Sequence, residues 1–128
     1  MKDRIEAAVQ KKQQGYNCAQ AVACAYCDCA GIDEETMKNI AQAFGVGMGT
    51  LEGSCGAIVG AGIVLGAINK ERRKTTQDIR AIMTEFLERN GAVTCKELKG
   101  TETGVVLRAC NDCVRDAAEL LAKRLQTD

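Results

Sequence analysis

Eight cysteines are the residues of this chain best suited to chemistry, and the chain has no histidine. The absence of histidine excludes catalysis by a Ser–His or Cys–His pair, and it leaves thiolates and carboxylates to hold any metal. The first residues, MKDRIEAAVQKKQQ, include no apolar stretch of the kind that a secretion signal needs. Many cysteines without such a signal favour redox or metal chemistry in the cytoplasm over a framework of structural disulfides.

Four cysteines are predicted to lie at the N-termini of helices. Cys18 directly follows Asn17, a good N-cap residue, and Cys95 follows the threonine of a T-x-x-E capping-box sequence. Cys55 falls in the first turn of an apolar helix, and Cys110 lies near the start of the last helix. Unpaired backbone N–H groups and the helix dipole favour a thiolate at such positions. Brought together, the four helix ends would form an electropositive pocket without any histidine or lysine.

The other four cysteines have less specific positions. Cys24 and Cys27 form one C-x-x-C sequence, Cys110 and Cys113 form a second, and Cys29 follows the first. This spacing is typical of redox pairs and of zinc sites, but two cysteines three residues apart on a helix can also be ordinary packing residues. The role of Cys24, Cys27, Cys29 and Cys113 therefore stays open.

Cys55 lies within a glycine-rich stretch, GMGTLEGSCGAIVGAGIVLG over residues 47–66, that has three interpretations. A phosphate-binding loop is not favoured, because the preceding strand and the G-x-G-x-x-G or G-K-[ST] spacing are missing. A membrane span is not expected either, since the 17 uncharged residues 53–69 reach only ~25 Å against a hydrocarbon core of ~30 Å. The remaining interpretation is a glycine loop that places Cys55 at a helix N-terminus, as the leading thiolate of the protein.

The elements that must position these thiols are predicted to be helices. Proline is absent, glycines punctuate the chain, and aromatic residues make up only 3% of it, so small apolar residues must form the core. We expect a single helical domain over residues 1–128, an all-α compact bundle of about five to six helices around the glycine-rich helix at about 54–69. Gly56 and Gly60, like Gly62 and Gly66, leave smooth helix faces that suit a close contact within the bundle or in a homodimer.

Helix boundaries follow from capping residues. The second helix is predicted over residues 18–29, and Asp33 is predicted to cap the third. Thr75 or Thr76 is predicted to begin the long amphipathic helix that Gly91 ends.

Lys plus Arg and Asp plus Glu both total 17, so the net charge is zero. This balance gives no electrostatic reason to expect nucleic acid or an anionic membrane as a partner.

Four segments, in order, resemble a known family. They are N-C-A-Q-A-V at 17–22, C-G-A-x-x-G at 55–60, V-T-C-K-E-L at 93–98, and Cys110 followed by V-R-D-A-A-E-L at 114–120. This order resembles the "putative redox-active protein" family C_GCAxxG_C_C from about Gly15 to Leu121. The resemblance implies a redox-active protein with four shared cysteines, which match Cys18, Cys55, Cys95 and Cys110.

We therefore expect the cluster of Cys18, Cys55, Cys95 and Cys110 to perform thiol–disulfide or electron-transfer chemistry with a redox partner protein or a small thiol. The alternative is a metal-binding module in which the same four sulfurs hold an iron–sulfur cluster or zinc. A third interpretation is that these cysteines simply pack as small hydrophobic residues. The sequence names neither an electron donor nor an acceptor, and it leaves open whether the protein is an oxidoreductase.

Overall fold

The computed structural model describes residues 2–125, which form seven α-helices and no β-strand. The helices are α1 Lys2–Gln13, α2 Cys18–Ala25, α3 Glu34–Ala41, α4 Gly56–Asn69, α5 Arg72–Asn90, α6 Cys95–Lys99 and α7 Cys110–Leu125. The all-α class is confirmed, but the predicted count of about five to six is too low because α6 is a short helix of five residues. Residue 1 and residues 126–128 of the predicted domain lie outside the described residues.

Helix α4 lies at the centre of the packing and contacts α2, α5 and α7. Its buried side chains are small or branched apolar residues, among them Ile58, Val64 and Leu65. Burial of such side chains supplies most of the favourable free energy of folding. None of the helices within residues 2–125 is both long enough and apolar enough to cross a membrane.

Two glycines of α4 allow α2 to approach it closely. A Cβ atom at Gly60 would lie 2.5 Å from the carbonyl oxygen of Ala19, and one at Gly56 would lie 3.3 Å from the Cβ atom of Cys18. The second glycine pair is less crowded, since a Cβ at Gly62 would meet only the side chain of Ile79 at 3.4 Å. The first pair is therefore the one that fixes the distance between two cysteine-bearing helices.

Two buried polar side chains form hydrogen bonds that join α7 to the other helices. The hydroxyl of the buried Tyr26 donates a hydrogen bond to the carbonyl oxygen of Ala118 on α7, at 2.9 Å. Asp78 of α5 is also buried and accepts a hydrogen bond from Arg124 of α7 at 2.8 Å. These contacts attach α7, which carries two cysteines at its beginning, to the rest of the bundle.

The predicted helix boundaries are partly right. Asn17 and Asp33 cap α2 and α3 through their side chains, as predicted. The prediction of Thr75 or Thr76 at the start of α5 is wrong, because the carboxylate of Glu71 accepts the free N–H groups at that end and the helix begins at Arg72. The second helix ends at Ala25 and residues 26–31 form turns, so it is shorter than predicted.

Candidate functional site

Five cysteines meet at one cavity of about 70 Å³, which we call the thiol cavity. Its cysteines are Cys18, Cys55, Cys95, Cys110 and Cys113. All four cysteines singled out from the sequence therefore lie together, and Cys113 joins them. The basic residues Lys12, Lys99 and Arg108 also line the cavity.

The four predicted thiols lie at the N-termini of helices. Cys18, Cys95 and Cys110 are the first residues of α2, α6 and α7, and Cys55 is the N-cap of α4. Free backbone N–H groups at these ends favour a negative charge on a nearby sulfur. The contribution of α6 is the smallest, because the helix has only five residues.

Two backbone hydrogen bonds hold Cys55 and Cys95 side by side. The N–H of Cys55 donates to the carbonyl oxygen of Val93 at 2.7 Å, and the N–H of Cys95 donates to that of Gly53 at 3.0 Å. The two segments thereby form one isolated antiparallel bridge. A Cβ atom at Gly47 would lie 2.8 Å from the Cβ of Cys95, so only glycine leaves room for that cysteine.

Cys18 and Cys110 form the first pair of hydrogen-bonded sulfurs. The thiol of Cys18 donates to the sulfur of Cys110, which lowers the pKa of Cys110 to about 6 and raises the pKa of Cys18. Burial opposes the shift at Cys110, while Lys99 and Lys12 add to it through their positive charges. Cys110 is therefore largely a thiolate at neutral pH, and Cys18 is its neutral partner.

Cys55 and Cys113 form the second pair. A hydrogen bond from Cys113 lowers the pKa of Cys55, and burial of the sulfur opposes this shift. The backbone N–H groups of Ala57 and Ile58 lower the pKa further. The sulfur of Cys55 makes no capping hydrogen bond of standard geometry, so the amides act as nearby dipoles. The pKa of Cys113 is raised by its partner and by burial, and the carbonyl oxygen of Arg108, at 3.8 Å, is a second acceptor within reach of its single S–H proton.

Cys95 differs from the two pairs. Burial raises the pKa of its thiol, and the positive charge of Lys99 only partly offsets this. Its side chain is 8% exposed. Cys95 is therefore a neutral, buried thiol in the wall of the thiol cavity, next to Cys55.

A comparison with protein families agrees with this arrangement of sulfurs. The model of the family "Putative redox-active protein (C_GCAxxG_C_C)" matches residues 16–124, which is most of the chain. The chain belongs to the C_GCAxxG_C_C family. No curated protein and no solved structure matches it. The family expected from the sequence is thus confirmed, and its description supports a redox-active protein.

The sequence prediction missed part of the thiol cavity of this C_GCAxxG_C_C protein. It expected an electropositive pocket without lysine, whereas Lys12 and Lys99 line the cavity. Lys99 lies four residues after Cys95 on α6, a spacing that places two side chains on one helix face. The C-x-x-C spacing likewise indicated that Cys113 shares a face with Cys110. No sequence signal linked Lys12 to the site, because only the packing of α1 brings it there.

Cys24, Cys27 and Cys29 lie outside the thiol cavity. The thiol of Cys24 donates to the carbonyl oxygen of Glu34 at 3.7 Å, and burial raises its pKa to about 11. Burial also raises the pKa of Cys27. The C-x-x-C sequence of Cys24 and Cys27, which begins on α2 and ends in the turn after it, thus provides packing thiols, while the one on α7 contributes both cysteines to the cavity.

The loop beside the cavity is strained. Val46, Met48 and Leu51 all have a positive φ, which is unfavourable for side chains with a Cβ atom, most of all for a β-branched valine. Val46 lines the thiol cavity and is 48% exposed, so burial of its side chain does not explain its conformation. Strain of this kind is concentrated at functional sites.

The arrangement of the side chains shows whether the metal-binding alternative has a preformed site. Across residues 2–125 there is no group of three or more His, Cys, Asp or Glu side chains placed to hold a metal ion. The sulfurs instead shift one another's pKa in two pairs, Cys18 with Cys110 and Cys55 with Cys113. As placed, Cys18, Cys55, Cys95 and Cys110 do not fit zinc or an iron–sulfur cluster, and metal binding stays a prediction.

Proposed function

We propose that this C_GCAxxG_C_C protein is a thiol–disulfide redox protein in which Cys110 is the attacking thiolate and Cys18 is the resolving thiol. The observation that carries the proposal is that Cys18 and Cys110, the first residues of α2 and α7, line the same cavity of about 70 Å³. Disulfide exchange needs a thiolate nucleophile with a second thiol beside it. This pair supplies both.

Two features favour Cys110 over Cys55, the leading thiolate expected from the sequence. Both sulfurs have a lowered pKa, but Cys55 is only 4% exposed, whereas Cys110 is half-buried and more accessible. A thiol with a pKa close to the ambient pH is also the most effective attacking group, because it combines a large thiolate fraction with good nucleophilicity. Cys110, with a pKa of about 6, meets this condition.

The exchange proceeds in two steps that balance. The Cys110 thiolate attacks a substrate disulfide, forms a mixed disulfide with one half of it and releases the other half as a thiolate. Cys18 then passes its proton to the departing half and attacks the sulfur of Cys110, so that a Cys18–Cys110 disulfide forms. The substrate disulfide gains two electrons, the protein dithiol loses two, and an external dithiol returns the protein to its reduced form.

The size of the cavity constrains the substrate. A volume of about 70 Å³ is several times the ~10–15 Å³ that a cavity needs to hold one water. The cavity therefore has room for the sulfur of an incoming disulfide and its neighbouring carbon. The substrates that suit this cavity are therefore small disulfides and exposed disulfides of a partner protein.

Trapping the mixed disulfide tests the proposal. We expect the reduced chain to form a Cys18–Cys110 disulfide with oxidised glutathione, and a variant that combines Cys18→Ser with Cys55→Ser and Cys113→Ser to stop at a glutathione adduct on Cys110. Cys110→Ser should form neither, and Cys29→Ser, outside the cavity, should behave as the unchanged chain. A Cys110→Ser variant that is folded by circular dichroism and still exchanges disulfides at the original rate would refute the assignment.

Stoichiometric metal bound by Cys18, Cys55, Cys95 and Cys110 after anaerobic purification would favour the metal-binding alternative.

A further inference from the structure

The thiol cavity contains more sulfur than one disulfide exchange requires. Cys18 and Cys110 suffice for the proposed exchange, yet Cys55 and Cys113 line the same cavity of about 70 Å³. Cys113 lies outside the cysteine pattern that the sequence shares with the family. Its single S–H proton nevertheless has two acceptors within reach, the carbonyl oxygen of Arg108 at 3.8 Å and the sulfur of Cys55.

We propose that Cys55 and Cys113 are a second dithiol, which takes over the disulfide from Cys18 and Cys110, so that one chain delivers two pairs of electrons. Cys113 thereby becomes a catalytic residue beyond the four of the family pattern. This inference rests on the proposed function, because it begins from the Cys18–Cys110 disulfide.

The packing places the two pairs close together. Cys110 and Cys113 are three residues apart on α7, a spacing at which two side chains lie on one helix face with their Cβ atoms ~5–6 Å apart. On the other side of the cavity, Gly56 follows Cys55 and lies directly against the Cβ atom of Cys18. The charges of the sulfurs also act on one another across the pairs, Cys55 on Cys18 and Cys110 on Cys113.

The transfer needs no further oxidant or reductant. The Cys55 thiolate attacks the sulfur of Cys110, the Cys18–Cys110 bond breaks, and Cys18 leaves as a thiolate. Cys113 gives its proton to Cys18 and attacks Cys55, so that a Cys55–Cys113 disulfide forms and Cys110 leaves as a thiolate. The outer pair thus returns to its reduced form, with Cys18 protonated and Cys110 ionised. It can then reduce a second substrate disulfide.

Peptide mapping of the unchanged chain tests this transfer without any substitution. The reduced protein is treated anaerobically with one equivalent of oxidised glutathione, and its remaining thiols are alkylated after different times. We expect the Cys18–Cys110 disulfide to appear first and the Cys55–Cys113 disulfide to replace it. A Cys18–Cys110 disulfide that persists as the only product would overturn the proposal. Absence of any internal disulfide would instead contradict the proposed function itself.

Counting disulfides provides an independent test. In a background in which Cys24, Cys27 and Cys29 are replaced by serine, we expect excess oxidised glutathione to produce two internal disulfides per chain and to leave Cys95 free. Intact mass after alkylation gives both numbers. Cys113→Ser in this background should form only one internal disulfide, whereas Cys95→Ser should still form two. Two disulfides in the Cys113→Ser variant, or one in the background, would show that Cys113 has no such role.

Discussion

The backbone of Ala19 lies where a side chain at position 60 would be: a Cβ atom at Gly60 would come within 2.5 Å of the Ala19 carbonyl oxygen. Ala19 follows Cys18 on α2, and Gly60 lies one helical turn beyond Gly56, which follows Cys55. The contact therefore sets how closely two cysteine-bearing helix N-termini approach. In this way the packing of a glycine-rich helix is linked directly to the spacing of the sulfurs.

We predict that Gly60→Ala destabilises the protein. The added methyl group would meet backbone atoms of α2, which cannot rotate away as a side chain can. Overpacking of this kind typically lowers the free energy of unfolding by about 1–3 kcal/mol. Urea denaturation followed by circular dichroism measures the change.

Gly62→Ala on the same helix is the matched control. Its added Cβ would meet only the flexible end of the Ile79 side chain, at 3.4 Å. Because alanine is the better helix former by up to ~1 kcal/mol, we expect unchanged or increased stability. Equal losses in the two variants would show that contact with α2 is not the reason for glycine at position 60.

We predict that Asp78→Asn destabilises the fold in a pH-dependent manner. Burial raises the pKa of Asp78, but hydrogen bonds from Arg124, Asn69 and Lys74 outweigh it and hold the pKa below its ordinary value of 3.8. Removing one partner of a buried ion pair typically lowers the free energy of unfolding by about 3–5 kcal/mol. A loss near the lower end is expected here, since Lys74 is exposed.

The sign of the pH dependence follows from the lowered pKa. The stabilisation is fully present above the unfolded-state pKa of Asp78 and is lost as the pH falls through the folded-state pKa. The difference between Asp78→Asn and the unchanged chain should therefore shrink in acid, as measured by thermal unfolding from neutral pH downward. Glu88→Gln, an exposed change on the same helix, should stay within ~0.5 kcal/mol at every pH. A pH-independent loss at Asp78 would mean that its charge is not the stabilising feature.

The candidate site could be predicted from the sequence as far as local signals reach. Asn17 and the glycine loop before Cys55 indicate helix beginnings, and the structure places both cysteines there. These signals are local because capping involves residues within one turn of each other. The boundary of α5 was predicted wrongly for a related reason, since Glu71 can cap a helix as the threonines can.

The contacts that complete the site depend on tertiary packing. Lys12 reaches the cavity only because α1 packs against α2 and α7. The sequence likewise cannot show that Cys110 pairs with Cys18 while Cys113 pairs with Cys55, because this choice depends on how α7 is rotated against the other helices. The cluster of cysteines was therefore predictable, but its division into two pairs was not.

We predict that Lys99→Met raises the pKa of Cys110. Lys99 lines the thiol cavity, and its positive charge favours the Cys110 thiolate. Because the lysine is half-buried, the shift should be about half a unit to one unit and should become smaller in high salt. Rates of iodoacetamide labelling of Cys110 between pH 4 and pH 9 give the pKa.

Lys96→Met is the control for this change, because it removes the same charge from the same helix. Lys96 forms ion pairs with Glu102 at 2.7 Å and with Glu52 at 3.4 Å, and it does not line the cavity. We expect it to leave the pKa of Cys110 unchanged. If both variants produced the same shift, the net charge of the chain and not the position of Lys99 would set the pKa.

We predict that Cys18→Ala raises the pKa of Cys110 more than any lysine substitution does. In the unchanged chain the labelling rate of Cys110 should rise through a midpoint near pH 6, because the hydrogen bond from Cys18 is the largest influence that stabilises the thiolate. A hydrogen bond to a charged group contributes ~1.5–3 kcal/mol, which corresponds to about one to two pKa units. Losing the donor should move the midpoint upward by that amount.

Cys18→Ser separates the hydrogen bond from the rest of the side chain. A serine hydroxyl can still donate to the Cys110 sulfur, so the midpoint should lie between those of Cys18→Ala and the unchanged chain. Labelling of Cys27, mapped in the same digests, is the internal control, because burial raises its pKa and none of these substitutions lies beside it. An unaltered Cys110 midpoint in Cys18→Ala would contradict the pairing of these two sulfurs. An identical rise in both variants would assign the effect to the geometry of the cavity, because the serine would then not replace the lost donor.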